Sequence, residues 1–307
     1  MNKEKILKNI KEIKIKLDEI YEELNEIQIE KKTEKLDKIY EVLKDESEFE
    51  QLKNLLNSEE WPEAVLDFQI VDENSEEEKM DRAEGIVDIL INEELENKKI
   101  LDFGCGEGHS AKYASTQEKT TSVGYDLVKS EKSKLLWENE EENYLLTTNF
   151  EKVKEKGPYD IIMIYDVIDH CEDPINVLNQ AKSLLSDNGK IYLRCHPWCG
   201  RHGGHLYREI NKAFIHIIFS DEELKELGIN EQEPNIKVTF PIAEYHKFIE
   251  QANLKIENED VEYQDVEDFF VKNPIITKRL KNIINVKEKY PKHQTSQCFH
   301  DYILIKN

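Results

Sequence analysis

Short apolar runs alternate with amphipathic stretches from about residue 80 to the end of this sequence. The run 159–170 is nearly continuous, as expected for a central parallel strand that is covered on both faces. The stretch 175–185 instead spaces its apolar residues as one face of a helix does. The same reasoning predicts strands beginning near residues 99, 120, 144, 159, 190, 254 and 299, and helices at 109–115, 175–185 and 241–253. This alternation predicts an α/β fold with a mostly parallel sheet.

The N-terminal segment carries a different pattern, in which apolar residues alternate between spacings of four and three. These residues are Ile6, Ile10, Ile13, Leu17, Ile20, Leu24 and Ile27. The spacing predicts the seam of a coiled coil, which a second helical stretch at 34–56 follows. Lysines precede acidic residues along the seam helix, so an antiparallel partner would bring opposite charges together. The partner of the seam helix is either another copy of the chain or the 34–56 helix. Alternatively, the seam helix packs on the chain's own C-terminal domain.

These patterns divide the chain into three parts. Residues 1–57 form a helical arm, and residues 58–98 contain an acidic linker at 73–78 and a lead-in helix. Residues 99–307 form the α/β domain, with inserts at about 197–240 and 264–292. No internal repeat is present.

A glycine-rich turn follows the first predicted strand of the α/β domain. The sequence KILDFGCGEG places Asp102 before Gly104, Gly106 and Gly108. Glycine tolerates positive φ and lets a ligand lie against the backbone. A dinucleotide-binding turn would need a further glycine where His109 stands. Asp126 ends the next predicted strand about 20 residues later, where a carboxylate can accept hydrogen bonds from a ribose diol.

These motifs, in this order, resemble the class I, Rossmann-like family of S-adenosylmethionine (SAM)-dependent methyltransferases over residues 80–196. The resemblance implies that SAM is the cofactor. The positions that match the family's cofactor-binding residues are Asp102, Gly104, Gly106, Gly108, Asp126, Leu127, Asn149, Phe150 and Asp166. The segment DVIDHCEDP (166–174) resembles the family's stretch after the fourth strand, although Asp169 stands where the family has Glu, and Asn149 stands where it often has Asp.

The resemblance also implies the architecture. We expect a Rossmann-like, seven-stranded, mostly parallel sheet with flanking helices, whose last strand runs antiparallel, plus the N-terminal helical arm. By position, the lead-in helix before the first strand is expected to help close the SAM pocket.

Histidines supply the candidates for acid–base chemistry. His170 follows the fourth strand, at the sheet edge where ligands bind in open α/β folds, and it is our first candidate for a general base. The loop HPWCGRHGGH after the fifth strand adds His196, His202 and His205 as catalytic candidates. Trp198, Arg201 and Arg208 are the candidate acceptor-binding residues. Residues 194–216 and 271–292 are basic islands, which suggests an anionic group on the acceptor or charge balance with the acidic surface.

The same loop allows two further interpretations. His196, Cys199, His202 and His205 fall within ten residues, and zinc accepts such ligands. Their spacing matches no closed zinc motif, so we assign no metal ligand here. Metal binding and a purely structural loop remain alternatives to an acceptor-binding loop.

Composition limits the partners and the compartment. The formal net charge of −23 disfavours a protein that coats nucleic acid. Five cysteines without a C-x-x-C pair indicate a reducing compartment, and we find neither a membrane-spanning run nor a secretory signal, so we expect a cytoplasmic protein.

We therefore expect a methyltransferase acting on an oxygen or nitrogen of a small polar, possibly anionic, metabolite or sugar. One alternative is a macromolecular acceptor that docks through the arm. The other is a non-catalytic assembly protein with a relic Rossmann-like domain.

The arm leads to a prediction about assembly. We expect the full chain to form a homo-oligomer, most simply a dimer. Residues 1–57 should hold it only in part, because three heptads alone give a marginal helix pair. Light scattering should show a smaller species for a chain that begins near Ser58. If the full chain and the shortened chain are both monomeric, the seam packs against residues of its own chain.

Overall fold

The computed structural model describes residues 48–65, 75–91, 93–139, 141–229, 240–263, 272–279 and 297–307. The predicted coiled-coil seam lies outside these residues, as do Leu36, Ile39 and Leu43 of the second helical stretch. The end of that stretch is described and forms a helix.

A seven-stranded sheet forms the centre of the fold, which confirms the predicted architecture. Its strands are β1 Lys99–Phe103, β2 Thr121–Tyr125, β3 Tyr144–Thr147, β4 Tyr159–Tyr165, β5 Leu185–Cys195, β6 Leu254–Tyr263 and β7 Gln297–Lys306. Their spatial order is β3-β2-β1-β4-β5-β7-β6. The first five strands are parallel, and β7 runs antiparallel between β5 and β6. The chain reverses its direction of travel across the sheet between β1 and β4, where open α/β sheets bind ligands.

Helices cover the two faces of the sheet. The described α-helices are α1 Glu48–Leu56, α2 Glu76–Leu90, α3 His109–Ser115, α4 Lys134–Glu138, α5 Phe150–Lys156, α6 Pro174–Leu184, α7 Ile215–Ile218, α8 Asp221–Glu226 and α9 Ile242–Gln251. On one face, Leu101 and Ile162 pack with Leu178 of α6. On the other, Ile100 packs with Val87 of α2. Within the described ranges, no helix is long and apolar enough to cross a membrane.

Several element boundaries differ from the sequence prediction, among them the start of β5 at Leu185 rather than near residue 190, and local hydrogen bonds explain two of the others. The predicted linker at 73–78 ends early, because Ser75 and Glu78 form a capping box that starts α2 among acidic residues. The predicted strand at 144–150 stops at Thr147, because the side chain of Asn149 caps α5. The long apolar run ends its strand at Tyr165 rather than continuing to residue 170.

A second apolar cluster lies outside the sheet and joins three distant segments of the chain. Leu52 and Leu56 of α1 pack with Trp61 and with the segment 206–229, in which Phe214 is fully buried. The Trp61 ring stacks on Phe219 at 5.9 Å, and its Nε1 donates to the Ala213 carbonyl. We call this cluster of 48–61, 206–229 and 275–276 the cap. The shortened chain for light scattering should therefore begin at Glu48 rather than near Ser58, so that it keeps α1 and the cap.

Trp61 leads to a stability prediction. Trp61→Ala should lower the free energy of unfolding by about 3–5 kcal/mol, because it removes a buried aromatic ring and leaves a cavity. Urea denaturation measures this loss. Ile89→Ala is the matched control, since Ile89 is 64% exposed and should change stability by less than about 0.5 kcal/mol. Equal losses in both variants would contradict the cap as a stabilising contact.

Candidate active site

The glycine turn after β1 has left-handed backbone at each of its three glycines. The φ angles are 88° at Gly104, 51° at Gly106 and 91° at Gly108. A Cβ at Gly104 would overlap Val167, and one at Gly108 would overlap Leu146, so both positions require glycine for packing. A Cβ at Gly106 would meet no protein atom within 4 Å. The turn therefore presents an open face at Gly106, where a ligand can lie against the backbone.

Asp126 borders this open face from the end of β2. Its Oδ2 accepts a 2.8 Å hydrogen bond from the Gly106 N–H, and its Oδ1 accepts from the Val128 N–H at 3.3 Å. The next two side chains are apolar and exposed, Leu127 by 81% and Val128 by 73%. A partly exposed carboxylate beside an apolar wall fits a ribose diol and an adenine ring.

Asp102 supports the turn from beneath. Its side chain is only 4% exposed and accepts a hydrogen bond from the Ala111 backbone of α3. Burial, and then the charge of Asp126, raises the pKa of Asp102 to about 7. Asp102 therefore fixes the turn to the following helix rather than facing solvent.

Glu107 ties the lead-in helix to the glycine turn. Its carboxylate accepts from Lys79 of α2 at 3.0 Å and from Ser133 at 2.6 Å. His109, at the start of α3, lies 3.1 Å from Glu76 of the same helix α2. The sequence analysis did not single out Glu107, because its partners lie 28 and 26 positions away.

Two further predicted cofactor-binding residues, Asn149 and Phe150, have local structural contacts. Asn149 is exposed, and its side chain accepts from the Glu151 N–H as the cap of α5. Phe150 is half-buried and packs on Tyr125, with ring centroids 5.4 Å apart.

A cluster of acidic and histidine side chains lies at the carboxyl ends of β4 and β5. His196 Nε2 is 2.9 Å from Asp166 Oδ1, and His196 Nδ1 is 2.7 Å from His202 Nε2. His202 is buried, and its Nδ1 is 3.8 Å from the Sγ of Cys298 on β7. The Tyr245 hydroxyl donates to the His196 carbonyl, which anchors this chain of contacts to α9.

The outer part of this cluster consists of Asp169, His170 and His205. His205 Nε2 lies 3.4 Å from Asp169 Oδ2, and the His170 ring lies 4.6 Å from the His205 ring. Asp169 is fully buried, whereas the His170 side chain is 32% exposed. The structure thus brings together all four predicted catalytic histidines, with Asp166 and Asp169 between them. We call Asp166, Asp169, His170, His196, His202 and His205 the histidine cluster.

Burial and neighbouring charges shift the pKa values of these groups in different directions. Burial acts to lower the pKa of His196, but the Asp166 carboxylate outweighs it and raises that pKa. Burial lowers the pKa of His205 to about 2 and the pKa of His202 well below its usual range, and His196 adds to both effects. Burial raises the pKa of Asp169. The cluster therefore holds neutral imidazoles next to a charged pair.

The cofactor turn and the histidine cluster adjoin each other. Val167, between the two aspartates of the cluster, fills the space against Gly104. Burial raises the pKa of Cys171 to about 11, and the charges of both Asp169 and Asp126 contribute to that rise. Both sites therefore lie at the reversal point of the sheet, on opposite sides of the β1–β4 junction.

Comparison with known proteins agrees with this geometry. The model of a family described as a methyltransferase domain matches residues 75–258, which is more than half of the chain. This chain belongs to that family. The family's description agrees with the SAM-dependent methyltransferases that the sequence motifs resemble.

Individual relatives are distant. A ubiquinone biosynthesis O-methyltransferase from Vibrio parahaemolyticus is 28% identical over 167 residues, which are 52% of this chain and 65% of that protein. A tRNA U34 carboxymethyltransferase from Aliivibrio fischeri is 29% identical over 104 residues, which are 32% of each. The chain thus spans less than two thirds of these relatives. Among solved structures, the plantazolicin methyltransferase BamL is 22% identical, with 75% of this chain and 87% of that chain covered and a TM-score of 0.42.

The predicted acceptor-binding residues have structural partners in this methyltransferase. The Arg201 side chain is buried, and its guanidinium donates to the Glu63 carbonyl. Trp198 accepts at its carbonyl from His216 Nε2 and packs on the cap. The side chain of Arg208 lies outside the described part of the chain.

Three contacts of the histidine cluster were missed by the sequence analysis. Tyr245, Cys298 and Phe299 each touch His196 or His202, and Phe299 lies 4.8 Å from the His196 ring. The sequence signal for Cys298 and Phe299 is the predicted position of β7 as an antiparallel last strand, and the signal for Tyr245 is the predicted helix at 241–253. The register of β7, which pairs Cys195 with His300, comes from the fold.

The cofactor turn leads to a prediction about SAM affinity. Asp126→Ala should weaken SAM binding by about 1.5–3 kcal/mol, the range for hydrogen bonds to a charged group. Gly106→Val should abolish binding, because its side chain would occupy the open face. Calorimetry with the full chain measures both affinities.

Two control variants separate these effects from general damage. Gly228→Val has the same left-handed backbone (φ 77°) and equally open surroundings, and Asp260→Ala removes an exposed carboxylate from β6. Both should bind SAM normally. Undiminished affinity in folded Asp126→Ala and Gly106→Val protein would refute the assignment of the cofactor turn.

Proposed function

We propose that this enzyme methylates a hydroxyl oxygen of a small polar acceptor and that His170 takes the hydroxyl proton. The observation that carries the proposal is the setting of His170. Its ring is partly exposed, packs on His205, and has Nε2 4.0 Å from Oδ2 of the fully buried Asp169. A histidine at the mouth of a cluster, with a carboxylate behind it, suits a general base.

The location of the cluster supports this role. When bound, SAM supplies a methyl group on a sulfonium, and its transfer breaks the C–S bond, forms a C–O bond and releases S-adenosylhomocysteine. The residues of the chain orient the acceptor beside the glycine turn, which is a proximity effect. Because Val167 packs against Gly104, an acceptor at His170 would lie close to a ligand on that turn.

The charges of the chain favour a small acceptor that does not need to carry an anionic group. Arg194 is paired with Asp301, Arg201 donates to the Glu63 carbonyl, and Lys212 donates to the Ser58 carbonyl. These cations of the first basic island already have protein partners. The net charge of −23 disfavours a polyanionic acceptor. The O-methyltransferase relative supports oxygen over nitrogen as the methylated atom.

A macromolecular acceptor is the second candidate. A tRNA U34 carboxymethyltransferase is similar to 32% of this chain, and the predicted helical arm, residues 1–57, would be the segment through which a large acceptor docks. Enzymes for both acceptor classes would use the same cofactor turn. An acceptor screen therefore decides between them.

The screen uses the full chain and SAM with an isotopically labelled methyl group. The acceptors are hydroxylated aromatic compounds, sugars, small amines and bulk tRNA. We expect S-adenosylhomocysteine release and label on oxygen with a hydroxylated small molecule only. Label on tRNA alone, or on nitrogen alone, would overturn the proposal.

His170 leads to a kinetic prediction with any acceptor found in this screen. His170→Ala should reduce turnover by about 10²–10⁴-fold, the usual contribution of a general base, while SAM affinity is retained. His246→Ala is the matched control, because His246 lies on α9, 43% exposed and bonded to Glu259. A loss of less than about threefold in His170→Ala would remove the base and leave orientation as the mechanism.

A further inference from the structure

The buried carboxylate of Asp169 lacks the hydrogen bonds that such a group needs. Asp169 is 0% exposed, and within the described part of the chain neither of its oxygens accepts a hydrogen bond from another residue. His205 Nε2, which faces Asp169, is also buried without a hydrogen-bond partner there. Buried polar atoms are nearly always paired, and an unpaired set indicates a missing water or ion. A carboxylate and an imidazole nitrogen that face each other indicate a cation.

The geometry of the neighbouring ligands fits one metal ion. Asp169, His196 and His205 each offer a ligand atom, and these three atoms lie within 4.8 Å of one another. Asp169 Oδ2 and His205 Nε2 are 3.4 Å apart. Two ligands on a tetrahedral ion with bonds of about 2.0–2.1 Å are separated by about 3.4 Å. The separations that involve His196 are at most 4.8 Å, so this side chain must approach by up to about 1.4 Å to complete three ligands.

We propose that Asp169, His196 and His205 form a binding site for one divalent transition-metal ion of the zinc class. Two imidazoles and one carboxylate are one of the donor sets of open zinc sites, in which a fourth position binds water or substrate. The ions Mg²⁺ and Ca²⁺ prefer oxygen ligands, so this donor set disfavours them. The spacing of the loop histidines alone could not identify the site, because its carboxylate ligand lies 36 positions before His205, after another strand.

The surroundings of His196 are suited to a metal ligand. When Nε2 binds the ion, Nδ1 can donate its hydrogen to His202 Nε2, 2.7 Å away, and this contact fixes the ring. The Tyr245 hydroxyl holds the His196 carbonyl, and the Phe299 ring packs on the imidazole. Asp166, 2.9 Å from the same Nε2, supplies a second nearby carboxylate.

The loop before His205 is shaped to bring this histidine back to Asp169. A Cβ at Gly203 would overlap the Pro197 and Trp198 carbonyls, and a Cβ at Gly204 would overlap His216. His205 itself has left-handed backbone, with φ 54°. A tightly packed turn and an uncommon backbone conformation together hold its side chain in the site.

The consequence for catalysis rests on the proposed function. An ion with an open position would hold the acceptor hydroxyl, lower its pKa and orient it. The proton would pass to His170 and then to water, and the oxygen lone pair would form the new bond to the methyl carbon. The electrons of the broken C–S bond would remain on the sulfur of S-adenosylhomocysteine.

Metal binding by the untagged full chain tests the site without any acceptor. The chain is first dialysed against a chelator, then titrated with Zn²⁺ by calorimetry and with Co²⁺ by absorption, both in excess Mg²⁺ to occupy the acidic surface. We expect one ion per chain and the visible bands of a low-coordinate Co²⁺ site. Asp169→Asn and His205→Gln should each weaken binding by about 100-fold or more, the upper range for losses near a metal site.

Matched measurements keep the test decisive. His246→Ala should bind metal as the unaltered chain does, and SAM affinity, measured in every variant, reports an intact fold. No stoichiometric binding, or equal binding in Asp169→Asn, His205→Gln and His246→Ala, would overturn the metal site. Because this readout needs no acceptor, a failed acceptor screen would overturn the proposed function while stoichiometric metal binding still supports the site.

Discussion

The contact between Gly104 and Val167 determines how the two halves of the active site are related. A side chain at Gly104 would overlap Val167, so only glycine lets the segment after β4 approach the turn after β1. That approach places Asp126 on one side of the junction and Asp166 and Asp169 on the other. The cofactor position and the histidine cluster become neighbours because two parallel strands end together at the point where the strand order reverses.

Burial gives the histidine cluster its chemical character. Asp169, His196 and His202 are each at most 6% exposed, since the loop 196–205, β7 and α9 pack around them. In such surroundings charges interact strongly, and unpaired groups are costly. Among the four histidines of the cluster His170 is the most exposed, so it is the histidine that an acceptor can reach.

The basic residues show how an acidic chain uses its cations internally. Arg194 forms an ion pair with Asp301 and lies over the Phe299 ring, and Arg279 of the second basic island bonds to Glu48 and Glu223. These contacts join β5 to β7, and Arg279 to two elements of the cap, α1 and α8. Charge balance, which the sequence analysis considered beside an anionic acceptor, accounts for these arginines.

The sequence by itself determined the parallel sheet, the glycine turn with Asp126, and the methyltransferase family, because these depend on local periodicity and on motifs within one strand–turn–helix unit. It also identified all four histidines of the cluster, since they follow predicted strands. Only the tertiary structure decided their partners. Asp169 meets His205 across 36 positions, and His202 meets Cys298 across 96. Strand order and the register of β7 set these contacts, and neither leaves a local signal, because register depends on packing between segments that are far apart in the chain.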